Sequence, residues 1–99
     1  MSFDPIRGIT LVEKLAGENN WRTWKSDIRA LLKADGTWDW VADPSKLPSD
    51  SKALDAAKER LRVAAYCIEM TCDATNRGII EGKNEATDMY KALKAQGSL

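Results

Sequence analysis

The chain has no histidine and only two cysteines, which weighs against several kinds of site. Histidine is the commonest general base near neutral pH and the commonest metal ligand, so both acid–base catalysis and a metal centre are disfavoured. Cys67 and Cys72 lie on one predicted helix, about 140° apart around its axis, so a disulfide between them is geometrically implausible. We expect both to be small buried apolar side chains or free thiols.

Motifs that carry chemistry are also missing. The sequence contains no glycine-rich phosphate loop, no Ser/His/Asp set and no spacing typical of metal ligands. Asp39 and Asp43 are close in sequence, but nothing beside them indicates a tuned catalytic pair. We therefore expect a protein that is not an enzyme, with no cofactor, no metal and no small-molecule substrate.

Long apolar runs and an excess of either charge are absent as well. A helix that spans a membrane needs about 20 apolar residues, and residues 1–5 lack the charged start and apolar stretch of a signal peptide. A cytoplasmic protein without membrane contact is the resulting expectation. Lys and Arg number 15, as do Asp and Glu, and this zero net charge argues against a dedicated nucleic-acid binder.

What the sequence does have is the composition of one ordinary globular domain, with 99 residues, 43% of them apolar and 30% charged. Its apolar residues recur at helical spacing through most of the chain. The prediction is an all-α fold, a compact array of about five helices, two of them short, with an extended N-terminal arm over residues 1–14. Residues 15–97 would form the helical lobe.

The first long helix is the best-defined element. Asn19 or Asn20 should cap its start, and Gly36 should end it. Between these bounds a single apolar stripe about 100° wide faces one side. The stripe consists of Trp21, Trp24, Ile28, Leu31 and Leu32.

The remaining elements are predicted from the spacing of apolar residues and from residues that interrupt helices. A short helix is predicted over 38–41, a proline-containing loop over 44–50, and a long helix from about Ser51 to Cys72. A short turn containing Ile79 and Ile80 should precede a last helix over about 85–96. In the arm, residues 9–12 (ITLV) are β-prone and could form an extended segment or a short strand.

Residues 15–24 (LAGENNWRTW) resemble the opening of copia-type retrotransposon Gag proteins. The family pattern runs leucine, glycine, asparagine, an aromatic residue and tryptophan, followed by a helix and then Gly-x-Trp, which Gly36 and Trp38 supply here. Near the end of the chain, Tyr90 stands where the family has tryptophan. The matching residues are Leu15, Gly17, Asn20, Trp21, Trp24, Trp38, Tyr90 and Leu93.

The resemblance implies the N-terminal lobe of a Gag capsid protein, which self-associates into particles around the element's RNA. It also implies a truncated or a domesticated Gag, since a whole Gag usually continues into a second lobe. The motif itself has a physical interpretation as a folding signature: Gly17 permits a tight turn, the asparagines cap a helix, and the tryptophans start a buried stripe. It does not indicate an active site.

Association surfaces are the functional candidates. On the long helix Val63, Tyr66 and Met70 form a second apolar stripe, nearly opposite the first. Either the helix is central and both stripes are internal, or this one is an exposed contact surface. Further candidates are Trp40 and the arm residues Ile9 and Leu11, which could pack locally or reach a neighbouring subunit.

A basic strip lies on one flank of the first helix. It consists of Arg22, Lys25, Arg29 and Lys33, which fall within about 80° of each other around the axis. The strip could be a solvated face, or it could make a weak, salt-sensitive contact with RNA or with an acidic partner.

Two functions therefore remain open. The first is a structural capsid-type domain that associates with copies of itself. The alternative is a domesticated, monomeric Gag-like module that binds a peptide of a partner protein. The two hypotheses share a fold and differ in stoichiometry.

Overall fold

The structure is a computed structural model that describes residues 5–16 and 20–97. Within this part of the chain the all-α prediction is confirmed. The six α-helices are α1 (Pro5–Gly8), α2 (Trp21–Asp35), α3 (Trp38–Ala42), α4 (Ser51–Met70), α5 (Ala74–Ile80) and α6 (Ala86–Gly97). Two 3₁₀ turns, Ile9–Leu11 and Pro44–Lys46, complete the regular structure of the described residues. Gly17, a residue of the Gag-like motif, lies outside them.

α2 begins and ends where the sequence predicts, with Asn20 at its N-cap position and Gly36 after its last residue. Gly36 adopts a left-handed conformation with φ of 84°, which glycine tolerates without steric cost. Asn20 occupies the N-cap position, but its side chain makes no cap hydrogen bond. Instead the Asn20 amide accepts from the Ala16 N–H at 2.9 Å and donates to the Lys14 carbonyl at 2.7 Å. Asn20 therefore holds the preceding loop, and the side-chain cap bond predicted for it is not made. Asn19, the other predicted cap, lies outside the described residues.

The predicted extended arm is also wrong, because the described residues before Val12 form helical turns. α1 packs against α2 and α4, and the Val12 N–H donates to the Ile9 carbonyl at 3.2 Å. A strand would place Ile9 and Val12 on opposite faces, whereas a helical turn places residues three apart on the same face. The turn lets Ile9 and Val12 both pack on the core, and this burial outweighs the β-propensity of the segment.

α6 lies at the centre of the array and packs against α3, α4 and α5. α4 buries its main stripe, including Ala64, Cys67 and Ile68, against the rest of the core. Cys67 and Cys72 are both buried free cysteines, as expected. Burial raises the pKa of the Cys72 thiol to about 12, so it stays protonated at neutral pH.

The aromatic residues of the motif form one cluster that joins the two ends of the lobe. Trp21 stacks on Trp24 with ring centroids 5.5 Å apart, and the Trp21 and Tyr90 centroids are 6.3 Å apart. Tyr90 also meets the Trp38 ring in a T-shaped contact at 5.2 Å. Leu15 and Leu93 belong to the same core, with relative exposures of 2% and 1%. Tyr90, which stands where the Gag-like pattern has tryptophan, thus occupies a core position.

Leu15 fastens the chain before α2 to the junction of α4 and α5. Its N–H donates to the Thr71 carbonyl at 2.7 Å, and its carbonyl accepts from the Asp73 N–H at 3.0 Å. The same carbonyl accepts a second hydrogen bond, from the Asn76 side-chain amide at 3.0 Å. These bonds form the isolated bridge between Leu15 and Cys72, and no described residue belongs to a longer strand.

Candidate interaction surface

Across residues 5–16 and 20–97, no group of three or more cysteine, aspartate or glutamate residues could hold a metal ion. In the same residues no helix is both long enough and apolar enough to cross a membrane. The pKa values of Asp43 and Asp73 are lowered, in both cases because hydrogen bonds from Ser45 and from Asn76, respectively, stabilise the carboxylate. Asp73 uses its bond from the Asn76 N–H to cap α5, so this perturbation belongs to the fold.

The second stripe of α4 is only partly exposed. Val63 is half-buried and packs against the core. Met70 is half-buried too, and its sulfur lies 3.5 Å from the Arg77 guanidinium. Tyr66 differs from both, because 40% of its surface remains accessible. The structure therefore reduces this candidate surface to Tyr66 and its immediate surroundings.

The N-terminal candidates also differ in exposure. Ile9 is half-buried on the core, whereas Leu11 is 85% exposed, more than any other large apolar residue described. Leu11 is the last residue of its 3₁₀ turn, and its neighbour Val12 is buried. The Leu11 side chain is thus exposed to solvent on a backbone that the buried Val12 holds in place. Ile6 of α1 is also exposed, at 44%, and the sequence pattern did not single it out.

Trp40 is half-buried rather than open. The Arg60 guanidinium lies over its ring, 5.8 Å from the centroid, and the Trp40 carbonyl accepts from the Thr87 hydroxyl at 3.3 Å. Arg60 also bonds to the Asp35 carbonyl and forms an ion pair with the Asp35 carboxylate at 3.7 Å. The arginine covers Trp40 and holds the C-terminal end of α2 against α4.

An open groove of about 640 Å³ runs beside Tyr66, between α4 and the segment that links α5 to α6. Its floor contains the buried apolar residues Ala65, Ile80 and Met89, and the accessible surface of the lining as a whole is more polar than apolar. Its rim is charged and contains Arg62, Glu69, Arg77, Glu81 and Lys83. An apolar floor inside a charged rim is typical of sites that receive a side chain of another protein.

The four residues of the basic strip are not equivalent in the structure. The Arg29 guanidinium lies 6.0 Å from the Trp38 ring centroid and is therefore partly engaged within the molecule. Arg22 and Lys33 are exposed and Lys25 is half-buried. None of these last three forms an ion pair with another residue in the described part of the chain.

The sequence did not indicate the groove. Ala65, Ile80 and Met89 come from three different helices, and each one alone is an ordinary core residue of its stripe. Gly78, which lies on the groove wall, is inside α5. Comparison of the chain with protein-family models, with curated proteins and with solved structures found no match.

Proposed function

We propose that this chain is a capsid-type lobe of a Gag-like protein and that it works by associating with copies of itself. The observation that carries the proposal is the common packing of residues that the Gag-like motif places far apart. Leu15, Trp21, Trp24, Trp38, Tyr90 and Leu93 all contribute to one core. A folding signature should behave in this way, because its residues build the lobe.

Surface properties support association rather than catalysis. Leu11 and Tyr66 are large apolar side chains that folding leaves exposed, and they belong to different elements. Each contact that they make would be small and weak. A ring or shell multiplies weak contacts, because every subunit then engages more than one neighbour.

The groove beside Tyr66 favours a second candidate function, a monomeric module that binds a peptide of a partner protein. Its volume of about 640 Å³ and its apolar floor suit a short segment with one or two apolar anchor residues. This module would stay monomeric at any concentration, so the two candidates differ in a simple measurement.

The first experiment is light scattering on the purified chain, from micromolar to millimolar concentration. Self-association predicts a molar mass that rises with concentration and that Tyr66→Lys holds at one chain, because the charge disfavours burial at a contact. Ala56→Lys is the matched control, since Ala56 is also exposed on α4, and its mass should rise as the unmodified chain's does. A mass of one chain throughout would contradict assembly by this lobe and favour the peptide-binding module.

A further inference from the structure

We propose that the self-association contact is head-to-tail, with Leu11 of one copy inserted into the groove beside Tyr66 of the next. The inference rests on the proposed self-association and specifies its geometry. The surface of the molecule has two features of opposite shape. Leu11 projects from an anchored turn and is 85% exposed, whereas the groove is concave, open and apolar at its floor.

The two features do not meet within one molecule, because Leu11 remains exposed and is not part of the groove lining. They also differ in shape. Two protruding leucines from two copies could cover each other only in part, whereas a leucine in a groove is surrounded by partner atoms on several sides. Packing density therefore favours a contact of Leu11 with the groove of another copy over a contact between two Leu11 side chains.

Charge adds a second, independent argument. Val12 has an extended backbone and points into the core, so the residues on either side of it, Leu11 and Glu13, project outward together. Both are exposed, and Glu13 forms no ion pair with a described residue. An inserted Leu11 would carry the Glu13 carboxylate to the rim of the groove.

The rim carries three cations beside the carboxylates of Glu69 and Glu81, and Lys83 is the cation whose side chain forms no hydrogen bond or ion pair with a described residue. The Arg77 guanidinium donates to the Glu69 carbonyl at 3.2 Å, and Arg62 pairs with Glu59 at 3.2 Å. Lys83 is exposed and its ammonium forms no ion pair with a residue in the described ranges. Glu13 of one copy and Lys83 of the next are therefore the complementary charges of the contact.

A contact between unlike surfaces leaves one surface unfilled at each end of a chain of copies, so that further copies can add. The products are rings where the rotation closes and open chains where it does not. A contact of one surface with itself would instead stop at two copies. The distinction can be tested with two variants that each remove one half of the contact.

Leu11→Ser removes the protruding side chain, and Gly78→Glu fills the groove. A Cβ atom added at Gly78 has no neighbour within 4 Å, so the groove variant should fold normally. Each variant alone should associate roughly 10- to 100-fold more weakly than the unmodified chain, because the burial of one leucine is lost. Leu11→Met and Gly78→Ala are the matched controls and should associate as the unmodified chain does.

Mixing the two variants in equal amounts is the decisive measurement. The Leu11→Ser copy keeps an intact groove and the Gly78→Glu copy keeps its Leu11, so the mixture should form complexes that stop at two chains. Light scattering of each variant and of the mixture measures this directly. A mixture that stays monomeric while the unmodified chain associates would overturn the head-to-tail contact and leave self-association standing. An unmodified chain that stays monomeric would overturn both.

A second pair of variants tests the ionic contact without touching the groove floor. Glu13→Lys and Lys83→Glu should each weaken association by about two- to fivefold, as expected for an exposed ion pair. The double variant restores complementary charges between copies and should recover the original association. Failure of the double variant to recover it would contradict the assignment of this pair.

Discussion

At the scale of single residues, Thr71 is the most connected buried polar group described. It is 1% exposed, and its hydroxyl accepts from the Trp24 indole N–H at 3.0 Å. The same hydroxyl donates to the Cys67 carbonyl at 2.8 Å, and its backbone carbonyl accepts the Leu15 N–H. Every fully buried side-chain nitrogen or oxygen of the described residues has a partner. Thr71 thus supplies the hydrogen-bond acceptor for the indole N–H of Trp24, which is buried and cannot reach water.

Thr71→Val tests this role with little change of shape. The substitution leaves the Trp24 N–H buried without an acceptor, so we expect a loss of about 1–3 kcal/mol in the free energy of unfolding. Urea unfolding followed by tryptophan fluorescence measures the loss. Trp24→Phe removes the donor, and the double variant should lose less than the sum of the two single losses. Strict additivity would show that the hydrogen bond contributes nothing.

At the scale of the elements, two glycines differ in what the backbone requires of them. Gly36 ends α2 with φ of 84°, and an added Cβ would lie 3.2 Å from an Arg60 side-chain nitrogen. Gly78 lies inside α5 with open space around it. The backbone conformation therefore requires glycine at position 36 but not at position 78.

The same substitution should have opposite effects at these two positions. Gly36→Ala should lower the free energy of unfolding by about 1 kcal/mol, because alanine tolerates a positive φ poorly. Gly78→Ala should raise it by about 0.5–1 kcal/mol, since alanine is the better helix former. Chemical denaturation of both variants gives the comparison. Equal signs would contradict the assigned backbone conformations.

Elements with a local signal were predicted from the sequence, and those decided by distant packing were not. α2 follows from its apolar stripe and from Gly36, both of which are local. The segment Ile9–Val12 does not, because β-branched residues favour a strand and only the position of the core selects a turn. Asn20 is at the predicted N-cap position, but its amide bonds to the backbone of Lys14 and Ala16 instead of capping the helix, which the local sequence does not indicate.

The candidate surface was predictable in part. Leu11 and Tyr66 were among the candidates and are exposed, whereas the other four candidates are half-buried. For Val63 the sequence left both outcomes open, because a helix wheel shows which residues share a face and not which neighbour covers them. The groove is formed by residues of α4, α5 and α6, so no single segment could indicate it.

At the scale of the whole molecule, residues 5–12 belong to the lobe. Pro5 and Val12 are buried, and α1 packs against α2 and α4. Removal of residues 1–14 should therefore uncover part of the core and cost at least about 2 kcal/mol in the free energy of unfolding. Thermal or urea unfolding of the shortened chain measures this cost. Leu11→Ser is the control, and a detachable arm would instead leave the stability of the shortened chain unchanged.

The contact of Tyr90 with Trp21 and Trp38 also has a consequence for synthesis. A nascent chain that has not yet exposed Tyr90 and Leu93 outside the ribosome lacks the helix against which α3, α4 and α5 pack. Such a chain would carry its tryptophan stripe uncovered until α6 emerges. Folding of the lobe should then follow the emergence of its last helix from the ribosome.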